Sequence, residues 1–348
     1  MFVATVIAIT AVLMGIIIPD ELFDIKQTIT PIAAFTPVSE FDRHDPSNII
    51  RFEERYWMFY TVNVDDHREV TVHAASSPDG YDWDDHGLAL GPGIPGAWDE
   101  SGVIAPYVAP HDGKFYLFYT GFRSGDLATR DLGVAVSAHP LGPWTRWGEN
   151  PVLRRNPDPE AWDSGMLGDS NVIYREGRWW LYFKSRRDHE TNLQTRIGVA
   201  TATHVTGPFE KHEDNPLFAG HAFSAWVHRD GVAALCGVVS PSVLWSADGL
   251  HFKEAGTMPN YSTGFYCPEN FSNGINRRGV TWGVDCYRVD GRRGLHRFDC
   301  TMGITEHNAR DSMNSSDDTA NFGSTHNERA VVNHTNLKRG VDKDNTDP

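Results

Sequence analysis

Cysteine is scarce in this chain of 348 residues: Cys236, Cys267, Cys286 and Cys300 stand far apart and form no C-x-x-C pair. That argues against a zinc knuckle or a redox dithiol. It leaves buried thiols as the plain reading, with a disulfide as the alternative. Positive charge is also short, since 31 Lys and Arg face 46 Asp and Glu for a formal charge of −15. Basic residues form no run longer than a pair, such as the Arg pairs at 186–187, 277–278 and 292–293. Nucleic acid and anionic membrane are poor partners for such a chain, and a neutral ligand fits better. There is no G-x-S-x-G elbow, P-loop, H-E-x-x-H pair, or G-x-G-x-x-G following a strand, so those hydrolase, nucleotide and metalloprotease signatures are missing. Helical periodicity is lacking as well.

The one long apolar run is FVATVIAITAVLMGIII, residues 2–18. It is marginal for spanning a bilayer and suits a signal-peptide core or an uncleaved anchor. No basic n-region or clear A-x-A site accompanies it. Residues 1–20 are therefore set apart as an N-terminal segment that would export the protein (periplasmic or extracellular) or tether it; otherwise the chain is cytoplasmic. Membrane contact is expected only through residues 2–18. Residues 303–348 hold few large apolar side chains and no periodicity, the composition of a disordered polar tail.

Aromatics are plentiful, with 11 Trp, 11 Tyr and 18 Phe, and they recur in phase. A turn followed by an alternating aromatic strand is read at RYWMFYT (55–61), KFYLFYTG (114–121) and RWWLYFKS (178–185), with weaker copies GVAALCGVV (231–239) and GVTWGVDCY (279–287). Each is followed by a second alternating strand, four of which end in an aromatic turn: VTVHAASSPDGYDW, LGVAVSAHPLGPW, IGVATATHVTGPF and SVLWSADGLHF, while LHRFDC closes the set. With Tyr56, Phe115, Trp179, Ala233 and Thr281 as equivalent points, the spacing is 59, 64, 54 and 48 residues. Five such units predict an all-β, five-bladed β-propeller over residues 40–302. A single β-sandwich would not explain five repeats in phase. In SPDGYDW and SADGLHF the Asp and Gly supply turns and the aromatic packs between blades, which makes these motifs scaffold.

The innermost strand of each blade lines the channel of a propeller, so polar residues ahead of each aromatic strand are the candidate reagents. In order these are Asp45, then Asp99 and Glu100, then Asp169, His221 and Glu269. Taken alone, Asp45 before Pro46 is an ordinary turn residue; five ionisable groups in phase suggest a functional ring. Carboxylates around one funnel are what glycoside hydrolysis uses, one group protonating the leaving oxygen while a carboxylate activates water or attacks. Trp98, Tyr107, Trp226 and Tyr266 lie close by in sequence and could stack on a sugar face. No metal ligands are assigned and no cofactor is required, although the channel offers a place for a structural divalent cation.

The stretches DRHDPSNIIRFEERYWMFYT, APHDGKFYLFYTG, GVAVSAHPLGPW, NPLFAGHAFSAWVHRDGVAAL, VLWSADGLHF and GVTWGVDCY resemble the five-bladed glycosidases of families 43 and 32, and most closely glycoside hydrolase family 117. The resemblance runs from about residue 42 to 302. It implies an α-1,3-(3,6-anhydro)-L-galactosidase, exo-acting and inverting, with a neoagaro-oligosaccharide substrate. It further implies Asp45 as general base, Asp169 as supporting carboxylate and His221 as general acid. The family's His-Glu is His221-Ala222 here, and Glu269 in CPENF is the substitute acid to consider. A family 43-type arabinose- or xylose-releasing enzyme with Glu269 as acid, and a non-catalytic carbohydrate-binding propeller, are the alternatives. The segment before Asp42 is unlike the family's N-terminal dimer-exchange helix, so the oligomeric state is left open.

Overall fold

The computed structural model describes residues 21–38, 41–64, 69–123, 129–237, 241–260 and 263–306. Both the apolar run at 2–18 and the tail beyond residue 306 lie outside the described residues. Within them no helix is long and apolar enough to cross a membrane.

Strand β1 (Glu21–Pro31) comes first in the chain but belongs to the last blade. Blade one contains β2 (Phe41–His44), β3 (Ile50–Phe52), β4 (Arg55–Val64), β5 (Glu69–Ser77) and β6 (Asp84–Leu90). β2 and β3 both pair with β4, so they form one inner strand interrupted at residues 45–49. Blade two contains β7 (Gly102–His111), β8 (Lys114–Phe122), β9 (Arg130–Ser137) and the short β10 (Thr145–Arg146). Blade three is β11 (Met166–Arg175), β12 (Arg178–Arg186), β13 (Arg196–Ala202), β14 (Glu210–Lys211) and β15 (Phe218–Ala219). In blade four β16 (Ala222–His228), β17 (Gly231–Gly237), β18 (Ser242–Ser246) and β19 (Lys253–Thr257) follow as an antiparallel meander. Blade five has β20 (Gly264–Phe265), β21 (Trp282–Val289) and β22 (Arg292–Glu306), with β1 antiparallel to β22 along its length.

Five inter-blade cores show that the ring closes. Phe59 of β4 packs with Leu117 and Tyr119 of blade two, whereas its neighbours Met58 and Tyr60 pack with Trp282 and Val284 of blade five. Phe118 joins Leu181 and Phe183 of blade three, and Tyr182 joins Phe223 of blade four. Trp226 of blade four meets Phe265 and Phe298 of blade five. Successive residues of a strand point to opposite faces, so a strand sandwiched between two blades must be apolar on both. This is the physical origin of runs such as YWMFY and WWLYF.

The scaffold reading of the two Asp-Gly turns holds. Asp79 Oδ1 accepts hydrogen bonds from the Tyr81 and Asp82 amides, and Asp248 Oδ1 from those of Leu250 and His251. Gly80 and Gly249 both sit at φ +80°, where a side chain is disfavoured.

Three expectations need correction. The propeller starts before residue 40, since β1 supplies the fourth strand of blade five, and it runs past 302 to Glu306. All four cysteines are free thiols, so the disulfide alternative falls. Cys286 is only half-buried, unlike the other three.

Candidate active site

The inner strands of blades one, two and three share one irregularity. Asp45, Ala105 and Asp169 have φ of 46°, 49° and 51°. The register with the second strand shifts between Ile104 and Tyr107, and again between Gly168 and Asn171. A bulge re-aims the side chain it carries, and here the three bulged residues face a common cavity at one end of the channel. Asp45, Pro46, Ser47, Asn48, Ala105, Pro106, Tyr107, Asp169, Ser170, Asn171, Phe223, Ser224 and Thr263 line it. All five blades contribute.

Two asparagines fix this geometry. Asn48 donates to Val108 O (2.8 Å) and accepts from Val108 N (2.9 Å), which ties blade one to blade two. In the same way Asn171 donates to Phe223 O (3.0 Å) and accepts from Ala225 N (3.2 Å), tying blade three to blade four. Each stands two or three residues after a bulged Asp. The clasp therefore fixes the backbone that carries the carboxylate.

Asp45 lies deep at the axis, yet 43 % of its side chain is exposed, towards the cavity, and Oδ2 is 2.8 Å from His44 Nδ1. Burial works against its ionisation, but His44, Arg293 and Lys184 more than offset that and hold the carboxyl well below the usual carboxylate range. Arg293 is itself anchored, its Nε donating to Asp42 Oδ2 at 2.9 Å and its amide to Asp42 Oδ1 at 2.8 Å.

Asp169 Oδ2 is 2.5 Å from Nζ of Lys184, a side chain 9 % exposed. The same Nζ is 3.4 Å from His221 Nε2, while His221 Nδ1 is 3.1 Å from Thr195 Oγ1. The Lys184 charge, and then burial, outweigh Asp169 and Asp45 and push His221 down to about 4. Thr195 closes the loop of residues 187–195, which is held by Glu190. That carboxylate is near the surface but covered by arginines, accepting from Arg196 Nη1 (2.7 Å) and Nη2 (2.8 Å) and from Arg187 Nη1 (3.1 Å).

The other sequence candidates are dispersed. Asp99 is fully buried inside blade two, accepting from Arg146 Nε (2.7 Å) and Tyr119 OH (3.0 Å). Glu100 pairs with Arg123 (3.0 Å) on the surface. Trp98 stacks on Tyr119 and covers Gly121 and Gly133. Trp226 is 0 % exposed in the core between blades four and five, and Tyr266 packs edge-on to Tyr56. Of the proposed sugar platforms only Tyr107 reaches the cavity, its hydroxyl accepting from Asn270 Nδ2 at 3.3 Å. Glu269 does not line it; one of its oxygens lies 3.6 Å from Cys267 Sγ. The residues that sequence reading passed over are His44, Lys184, Thr195 and Arg293. Among the described residues, no three His, Cys, Asp or Glu side chains gather as a metal site.

Residues 35–171 match the model of glycosyl hydrolases family 43. That span takes in the first two blades, Asp45 and Asp169. The chain also superposes on Zg3597, a family 117 glycoside hydrolase produced by the marine bacterium Zobellia galactanivorans, with a TM-score of 0.72 and 24 % identity over 81 % of this chain and 91 % of that one. The fold is that of the propeller glycosidases of families 43, 32 and 117. The same propeller fold is found in fructan 1-exohydrolase IIa from Cichorium intybus (TM-score 0.56, 15 % identity, 77 % of this chain and 57 % of that one) and in RS223 β-xylosidase (0.54, 15 %, 79 % and 94 %). A curated relative, glucosamine inositolphosphorylceramide transferase 1 of Oryza sativa subsp. indica, is 22 % identical over 175 residues, half of this chain. The match covers 20 % of that relative's length.

Proposed function

We propose that the protein is a glycoside hydrolase in which Asp45 activates water, His221 protonates the leaving oxygen and Asp169 supports the charge that develops on the sugar. The observation that carries this reading is the meeting of Asp45 and Asp169 in one cavity, with His221 linked to Asp169 through Lys184. The match of the family 43 model across both carboxylates supports the reaction class. Asp45, ionised over the whole working range and open to the cavity, suits a base. The glycosidic oxygen needs a proton donor; His221 lies behind the residues that line the cavity and is joined to Asp169 through Lys184, and it is the titratable group we assign to that role. An inverting, exo-acting reaction on neoagaro-oligosaccharides, releasing 3,6-anhydro-L-galactose from the non-reducing end, is the substrate assignment that the family resemblance favours.

The test is incubation with neoagaro-oligosaccharides, with arabino- and xylo-oligosaccharides as comparisons, following the released sugar and its first-formed anomer by NMR. Release of anhydrogalactose with inverted configuration is expected. Retention, or binding without release over long incubation, would overturn the mechanism and the activity respectively. His221→Ala is expected to lose about 10²- to 10⁴-fold on substrates with poor leaving groups, the range for general acid catalysis. Substrates with a very good leaving group should be hydrolysed nearly as before. Glu269→Gln should leave both rates within about twofold.

A further inference from the structure

We propose that Lys184 is a positioning residue: its ammonium, placed between Asp169 Oδ2 and His221 Nε2, fixes the imidazole in the neutral form that carries its proton on Nδ1. The proposal rests on the reading of His221 as the proton donor only for its catalytic consequence; the placement itself stands on geometry.

Each ring nitrogen has its role dictated by its neighbour. Thr195 Oγ1 gives its one proton to Asn192 O at 2.9 Å, so towards His221 Nδ1, 3.1 Å away, it can only accept. The Asn192 carbonyl beside the ring is likewise an acceptor. Nδ1 must therefore bear hydrogen. On the other side an ammonium has three donors and no acceptor, so Nε2, 3.4 Å from Lys184 Nζ, presents its lone pair. Two independent contacts thus select one tautomer.

The groups around the ring agree. Lys184 reaches it from β12, Asp169 from β11 and Asp45 from blade one, while Thr195 and Asn192 come from the 187–195 loop. On β17 the Cys236 thiol, pushed up to about 12 by burial, stays neutral. The Lys184 charge is the largest influence and outweighs the two carboxylates. Lys184 is buried on β12, so its ammonium is held by these partners more than by water.

The consequence is that protonated His221 is a minor species at neutral pH, and the alkaline limb of kcat/KM should lie in the acid range. The experiment is a titration of the protein with ¹⁵N-labelled histidine, read by imidazole NMR, on wild type, Lys184→Met, Lys184→Gln and Lys184→Arg. Wild-type His221 is expected as the Nδ1–H tautomer at pH 7, titrating at about 4. Removing the charge in Lys184→Met or Lys184→Gln should raise its proton affinity at least tenfold, and Lys184→Arg should keep it low. Lys184→Gln retains hydrogen-bond donors for both partners should the methionine variant fail to fold. The alkaline limb of kcat/KM should move with the NMR midpoint. An Nε2–H tautomer or an imidazolium at pH 7 in wild type would overturn the proposal, as would a midpoint unmoved by loss of the Lys184 charge. If the midpoint moves while His221→Ala keeps full turnover, the Lys184 placement is upheld and it is the acid role of His221 that fails.

Discussion

Asp45→Asn is expected to fold and melt like wild type while its turnover on the true substrate falls by about 10³-fold, within the 10²- to 10⁴-fold span of general base catalysis. The substitution suits the test because it changes little else. Asp45 sits at φ 46°, a region that Asn enters readily and Ala does not, so Asn leaves the bulge unstrained where Ala would confound chemistry with backbone cost. The amide has the carboxylate's shape and keeps one oxygen that can accept from His44, while the charge and the second acceptor oxygen are lost. That charge is what the site is arranged to preserve, since His44, Arg293 and Lys184 together overcome burial to keep the carboxyl ionised. A carboxyl held so low is a weak base towards ground-state water. On the proposed mechanism its use is that it stays ionised even at the acid pH where His221 gains its proton, which would make base and acid ready in the same window. The check is kcat on the substrate that wild type hydrolyses, beside a thermal melt. Wild-type turnover in a normally folded variant would remove Asp45 from the reaction.

That Asp45 and Asp169 meet was legible in the sequence, and the reason is a nearly constant offset of ten or eleven residues. Asp169 stands ten residues before Trp179, and Asp45 eleven before Tyr56. The same count from Phe115 arrives at Ala105, whose φ of 49° confirms the equivalence, and not at Asp99, sixteen residues ahead. Asp99 belongs to the connection entering blade two, and there an acid is more visible than an alanine to anyone looking for reagents. Aromatic strands announced the blades because each strand is packed on both faces. β1 escaped because ELFDIKQTITP is an outer strand with much of its side-chain surface exposed. Lys184 carried a signal that went unused: in RWWLYFKS it is the one charge beyond the opening Arg178, on a strand otherwise committed to two cores. Trp226 and Tyr266 show the opposite failure. Nearness in sequence to a cavity residue did not bring either ring to the cavity: Trp226 lies in the core between blades four and five, and Tyr266 packs against the core between blades five and one.

Asn171→Ala should cost about 2–4 kcal/mol of stability, because two buried backbone groups of blade four, Phe223 O and Ala225 N, lose their side-chain partner at once and each unsatisfied group costs about 1–3 kcal/mol. A lowered urea midpoint with an unchanged slope is the expected result, and a loss below about 0.5 kcal/mol would show that the clasp is not a stabilising element. The same argument applies to Asn48, whose two bonds to Val108 join blades one and two. The clasps lie in different inter-blade seams and share no partner, so the double variant should show additive losses. Function should suffer beyond stability in both cases. Asn48 follows Asp45 by three residues and Asn171 follows Asp169 by two, so releasing a clasp frees the bulge that aims the carboxylate. A variant still folded at the assay temperature should therefore lose kcat as well. Each asparagine joins neighbouring blades through the same few residues that present an acid to the cavity, which is why closure of the ring and alignment of the site cannot be varied independently here.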